Sequence, residues 1–311
     1  IHFYEEIETQ TQGYTPQTAG STGQNAYLKA LNLLSNQDEY DINLLLIPGI
    51  ISAQHTTLAT KAIDMVEERG DCFLVIDPVL YGKNVSDATT QAETKDSNYA
   101  AMYWPWIQIP DNQVGTNRWV PPSVVIPGIY AFNDKVAHPW FAPAGTRRGT
   151  IDNATSVGYI DASTGEFQTL AVTEGVRESM HTVKINPITF FAGAGIVNFG
   201  NLTKTSGSSA LDRINVSRLV VYLRTQLDAI AKPFIFEPND ELTRNEIKQA
   251  IESFLLELVG QRALYDFLVV CDDTNNTSTR IDRNELYVDI AIEPVKSVEF
   301  IYIPLRIKNT G

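Results

Sequence analysis

Four histidines, His2, His55, His138 and His181, are the imidazoles available to a general base near neutral pH. No serine sits in the Gly-x-Ser-x-Gly turn that exposes a hydrolase nucleophile, and Ser206–Ser209 lies in a polar loop. A triad is defined by geometry, so only the fold could assemble one from these residues. The structural alternative has His55 capping or preceding a helix and His138 in a loop beside Pro139. Gly193, Gly195 and Gly200 have the look of a dinucleotide loop, but the spacing is wrong and no helical pattern follows at once. Tight backbone turns explain them more simply.

Asp272, Asp273, Asn275 and Asn276 offer oxygen ligands without the alternate positions and central glycine of a calcium loop. Asx side chains bonding their own backbone are the expected role. The aromatic run Tyr99–Trp106, with Trp119, could line a ligand groove, although core packing is the commoner fate. Cys72 and Cys271 each lie in an apolar run and lack metal or redox spacing, so buried free thiols made in a reducing cytoplasm are expected. Catalytic, metal-binding and cofactor-binding residues are therefore all assigned as none.

Composition narrows the class further. The chain has 24 basic and 37 acidic residues, a formal charge of −13 that repels phosphate backbones and argues against direct nucleic-acid binding. No apolar run approaches the roughly 18 residues of a membrane span, so no membrane insertion is expected. At 43% hydrophobic and 20% charged, the sequence has the balance of an ordinary globular chain. Ile1 is not an initiator, and a piece of a longer protein is expected.

These residues need elements to position them. A short strand His2–Ile7, a polar loop and a helix near Tyr27–Leu34 open the chain. The apolar run 42–47, stopped by Pro48-Gly49, predicts a strand covered on both faces. Helical spacing over 57–69 ends at Gly70, and Cys72–Ile76 is a second buried strand ended by Asp77-Pro78. Strand, helix and strand make a βαβ unit with parallel strands. Residues 82–98 predict loop or short helix, Tyr99–Ile109 a strand, and Pro121-Pro122 a helix to about Tyr130. Residues 142–183 lack clear periodicity, and a boundary falls near Asn186-Pro187.

The last third is more regular. Val216, Leu219, Val220, Leu223, Leu227 and Ile230 predict an amphipathic helix over 213–231, with Asp212 as N-cap. A capping box at Thr243–Glu246 opens a second, with Ile247, Ile251, Phe254, Leu255 and Leu258 on its stripe and Gly260 beyond. Phe267–Cys271 is a buried strand, and alternation at Leu286, Val288, Ile290 and Ile292 marks a strand with one wet face. Val298–Ile307, including Phe300 and Tyr302, reads as a closing strand apolar on both faces, with Pro304 confining it to an edge or strand end. Leu286, Val288, Ile290, Val298, Phe300 and Tyr302 are the candidate strand-docking residues. The fold class is mixed α/β and α+β, with two long C-terminal helices packed on a sheet.

From about Asn43 onward the sequence resembles the contractile tail sheath proteins of bacteriophages. The strings Tyr99–Trp106, Val120–Ser123, Gly128–Ala131, Ala142–Gly145 and Ile185–Ile188 are similar to family segments, as is Gly195–Val197. Asp212–Leu219, Phe236–Asp240, Val270–Asn276 and Asp289–Pro294 continue the likeness in the same order. Each string is weak alone; their colinear order makes the match specific. Residues 1–40 and 146–180 are assigned only by continuity.

The resemblance implies a central subtilisin-like α/β domain without peptidase activity over 41–185 and a C-terminal sheath domain over 186–311. Residues 1–40 would end a preceding domain or form a linker. It also implies a six-fold helical homopolymer around a tail tube, with baseplate and tail terminator as further partners. Such a subunit is made in the host cytoplasm, resides in the virion tail and needs no cofactor. A pyocin-like or type VI-like injection sheath is the alternative, and a subtilisin-like hydrolase the reading from another class.

Overall fold

The computed structural model describes residues 16–161, 163–169 and 172–303. The expected strand His2–Ile7 lies outside them. The first helix, α1, spans Thr22–Leu34, starting earlier than expected because the Ser21 side chain caps Gln24 N.

The βαβ expectation holds. Strand β1 (Leu44–Ile51), helix α2 (Thr56–Arg69) and strand β2 (Phe73–Asp77) alternate, and β1 pairs parallel to β2. Gly70 ends α2 at φ 70°, a left-handed conformation that glycine adopts without penalty. One correction concerns Pro48-Gly49, which does not stop β1. The register shifts between Leu46 and Ile51, and this irregularity absorbs the missing proline donor while the strand continues.

The five-stranded sheet runs β1-β2-β3-β8-β9, with β3 at Ala100–Trp104, β8 at Asn186–Phe191 and β9 at Gly195–Asn198. Pairings through β8 are parallel, and β9 closes the edge antiparallel. Alternate residues of the central strands serve opposite cores. Leu74, Ile76, Ala100 and Met102 pack with α1, α2, α3 (Val85–Ala92) and α6 (Glu174–Thr182). Phe73, Val75, Ala101 and Tyr103 pack against α4 (Pro122–Val136), through Val125, Ile126, Ile129 and Tyr130. Covered on both faces, such strands read as continuous apolar runs.

The expected single strand Tyr99–Ile109 is two strands in two sheets. Pro105, with no N–H to give a ladder, separates β3 from β4 (Ile107–Asp111). The second sheet has the order β5-β4-β6-β7, with β5 at Thr116–Val120, β6 at Ser156–Ile160 and β7 at Phe167–Thr169. Helix α4 continues past Tyr130 and through Pro127, because Ile129, Tyr130 and Asn133 keep burying one face. Asn133 Nδ2 then ties its end by donating to the carbonyls of His138 and Phe141. The short α5 (Gly145–Arg148) follows. The sheet also crosses the boundary expected near Asn186: β8 pairs with β3, and Asn186 Nδ2 donates to the Met102 carbonyl at 3.0 Å.

Helix α7 (Ile214–Ala231) joins the body to the C-terminal part. Ile214 and Val221 enter the two body cores, whereas Leu219 and Leu223 face the third cluster. Asp212 is not its N-cap. Arg213 holds that position, and Asp212 pairs with Lys184 and Arg213. Helix α8 (Glu241–Gly260) starts before the expected box and ends on Gly260, because Asp240 accepts from Thr243 N at 2.9 Å. Ile247, Ile251, Leu255 and Leu258 are buried as the stripe predicts, with Phe254 half-buried beside them.

Candidate functional site

The C-terminal strands form a sheet of their own. Strand β10 (Leu264–Val270) pairs antiparallel with β11 (Asp289–Pro294), and neither pairs with another described strand. Phe267, Val269, Ile290 and Ile292 share one face and pack on the α7–α8 cluster. The opposite face carries Leu268 opposite Ala291, and Leu268 and Tyr265 are exposed. Strand β10 is thus half wet, not the fully buried strand expected over Phe267–Cys271; its seat on a single helix layer leaves the other face open. A two-stranded sheet is marginal alone, and each outer edge leaves main-chain donors and acceptors without a ladder.

Leu286, Val288 and Ile290 converge on the third cluster as partly buried residues, although β11 begins only at Asp289. Val298, Phe300 and Tyr302 stand apart. The described part of the expected closing strand, 298–303, forms no strand and is exposed, with Tyr302 88% accessible. No described strand comes alongside it, so its apolar side chains find no cover among the described residues. Residues 304–307 of that expectation lie outside the described residues. The segment is nevertheless tethered: Arg213 forms a bidentate pair with Glu299 at 2.6 and 3.0 Å, and Val295 N donates to the Ala263 carbonyl. Sequence reasoning missed this anchor and the outer-face pair Tyr265 and Leu268, since both depend on non-local placement.

The loop between β10 and β11 follows the structural expectation. Asp272 Oδ1 accepts from Thr274 N, and Asn275 Oδ1 accepts from Asp272 N. Asn276 Oδ1 accepts from Tyr287 N, and Asn275 Nδ2 donates to Asp289 Oδ2. Asp272, Asn275 and Asn276 are thus spent holding the loop, and Asp273 pairs with Arg244 of α8 at 3.0 Å. Among the described residues, no group of three or more His, Cys, Asp or Glu side chains could hold a metal.

The other chemistry-bearing residues are structural. His55 N-caps α2, and its Nδ1 accepts from Ile51 N at 2.9 Å. Burial holds its pKa down at about 4, and a ring nitrogen that accepts a backbone N–H carries no proton, so the ring is neutral. Asp77 is fully buried, accepting from Ser123 N at 3.0 Å and Ser123 Oγ at 2.6 Å, so serine and carboxylate meet without an imidazole between them. Desolvation lifts the Asp77 pKa to about 7 against the pull of those bonds. His138 stacks on Trp140, and His181 sits near the end of α6. Tyr103, Trp104 and Trp106 are core residues, while Trp119 packs against Tyr81 and Phe167. Gly193 and Gly195 turn the chain between β8 and β9 at positive φ, and both cysteines are buried free thiols. No helix among the described residues is long and apolar enough to cross a membrane.

The described residues thus form a layered α/β body carrying a small two-stranded sheet that pairs with no other described strand. Residues 206–308 match the phage tail sheath C-terminal domain family. The chain is 32% identical over 315 aligned positions to the tail sheath protein of Vibrio phage KVP40, covering 90% of this chain and 44% of that protein. Against the tail sheath protein of Enterobacteria phage T4 it is 28% identical, covering 91% of this chain and 44% of that protein. The chain thus spans less than half the length of these curated relatives. Its fold matches a chain in the six-fold symmetrised baseplate of the anti-feeding prophage, with a TM-score of 0.73 at 23% identity, covering 91% of this chain and 73% of that one. Residues 206–308 therefore carry the phage tail sheath C-terminal domain, and nine-tenths of the chain is similar in sequence to tail sheath proteins.

Proposed function

We propose that this chain is the assembly core of a contractile tail sheath subunit, a structural component and not an enzyme. Subunits stack as a helix of six-fold rings around the tail tube, and contraction drives the tube through the host envelope for genome ejection. The sheath assembles in the host cytoplasm, resides in the virion tail, and meets the tube protein, the baseplate and the tail terminator. It makes no direct contact with nucleic acid, does not insert into membrane and uses no cofactor.

The observation that carries this reading is the β10–β11 sheet, whose edges are unpaired among the described residues, together with an exposed apolar segment over 298–303. Strand addition from a neighbouring subunit satisfies such an edge through main-chain bonds while the subunit bodies remain free to turn. Leu286, Val288 and Ile290 hold the platform onto α7 and α8. Val298, Phe300 and Tyr302 supply apolar surface that an adjacent subunit covers. Repeated through a lattice of bistable interfaces, small biases at each contact sum to a large release on contraction.

Proline placed at Leu268 or at Ala291, one in each strand, tests the platform in the full-length protein. Proline removes a ladder donor, so the variants should keep the circular dichroism of the parent while electron micrographs show no sheaths. Sheaths of normal length from both folded variants would sink the docking role.

A further inference from the structure

Helix α4 presents an unusual outer face. Val124, Gly128, Ala131, Phe132 and Val136 are exposed on the side turned away from the Val125–Ile129 core. The solvent face of a helix on a globular domain is ordinarily polar. Beside this stripe lies an open groove of about 400 Å³, whose lining includes Val125, Ile129, Phe132 and Ile151, two cations, Arg147 and Arg148, and one carboxylate, Asp152. Neither arginine has a carboxylate partner among the described residues. Arg148 instead spends its Nε on the Ala142 carbonyl and lies over the Phe141 ring, 5.3 Å from its centroid. Burial, and then the neighbouring charge of Arg147, pull its pKa down, the condition of a cation without a counter-charge.

A matching projection sits elsewhere on the same chain. The connection between α7 and α8 exposes Ile235 and Phe236, the first turn of α8 exposes Leu242, and Phe236 is wholly accessible. Phe236 adopts φ 75°, an outlier for a bulky side chain that persists only where the surroundings impose it. They do so here: Ile235 N donates to Lys232 O, Glu237 N to Phe234 O, and Asn239 Nδ2 to the Glu285 carbonyl at 2.9 Å. Glu237 and Glu241 flank the aromatic, are exposed and have no cationic partner among the described residues. An apolar knob with acidic flanks therefore faces away from the protein, complementary to a partly apolar groove in which two arginines outnumber the single carboxylate Asp152.

The knob cannot fill its own groove. Ile214, at the start of α7, packs in the same cluster as Val125, Ile129 and Ile151. Phe236 lies beyond the other end of this helix, whose 18 residues span about 27 Å at 1.5 Å per residue. We infer that the Phe236 loop of one subunit docks in the α4–Arg147/Arg148 groove of a second copy of this chain. The contact is heterologous, head to tail, and such contacts repeat into rings or helices instead of closing as a two-fold dimer. It extends the sheath reading by naming a second inter-subunit surface, distinct from the β10–β11 edges.

Two full-length variants test it. Phe236→Ala removes the knob. Gly128→Phe fills the groove, and because a Cβ at Gly128 meets only open space the fold should tolerate it, which melting curves check. Where the wild type forms sheaths, each variant should need at least about tenfold more protein to assemble, the loss expected when an aromatic anchor is removed. Assembly of either folded variant at the wild-type concentration would overturn the inference. Where the wild type forms none, it is the sheath reading that fails, and mixing the two variants decides the contact. One keeps only the groove and the other only the knob, so a 1:1 complex by sedimentation velocity supports the docking and two unmixed monomers overturn it.

Discussion

The five-stranded sheet and the C-terminal pair are built from similarly apolar strands, yet they end in opposite states. In the body, β2 and β3 have helices on both faces and strands on both sides, so Phe73, Ala101 and Tyr103 have no exposed surface. In the C-terminal part, one helix layer covers one face, the other shows Tyr265 and Leu268, and neither edge pairs with another described strand. Strands β2 and β3 have nothing left to offer a partner. The unsaturated region carries its surplus hydrogen-bonding and apolar capacity outward, where a polymer can use it.

Core truncation is the strongest way to break this contrast. Phe73→Ala should cost about 3–5 kcal/mol, because a fully buried ring is lost from a close-packed layer that relaxes only partly. Denaturant titration would read this as a large fall in midpoint. A shift near zero would mean that the body is not saturated.

A pH test probes the body more finely. Burial raises the folded pKa of the Asp77 carboxyl to about 7 from the ordinary carboxylate value of 3.8, so the folded state binds more protons than the unfolded one between those values. Its contribution is present in full below the unfolded pKa and is lost as pH rises toward 7. His55, lowered to about 4, works in the opposite sense between about 4 and 6.5, so the wild-type curve mixes the two. Asp77→Asn, which can accept from Ser123 N and donate to Ser123 Oγ, stays neutral throughout. Its melting temperature relative to wild type should therefore rise from pH 5 to pH 8. A constant difference across that range would refute the assignment.

The smallest effect belongs to the open region. Leu268→Ala removes an exposed side chain and should leave stability within about 0.5 kcal/mol of the parent. A larger loss by thermal melt would show that the outer face of β10 is covered within the chain.

Much of this contrast was legible in advance. The continuous apolar run at Cys72–Ile76 and the stop at Gly70 identified a buried strand after a helix, and the Ile247, Ile251, Leu255, Leu258 stripe identified α8. The alternation at Ile290 and Ile292 correctly marked a strand with one wet face. Errors clustered where a local signal competed with a distant partner. Thr243–Glu246 has the form of a capping box, yet Asp240 made the cap three residues earlier. Val298–Ile303 has strand-like apolar character, but a strand also needs a neighbour, and none is present among the described residues. Of the candidate docking residues, Leu286, Val288 and Ile290 were placed together as their spacing promised, whereas Val298, Phe300 and Tyr302 were not.

By itself the sequence determined which segments become helix or strand and which faces are apolar, because periodicity and caps act over a few residues. The colinear family strings likewise needed no structure. Tertiary structure decided which strands are neighbours, so that β8 joins β3 across the expected boundary while β10 and β11 are left with open edges. It also brought Ser123 to Asp77 and placed Phe236 a helix-length away from the Val125–Ile129 groove. Those outcomes depend on contacts between residues far apart in the chain, whose partners no local pattern specifies.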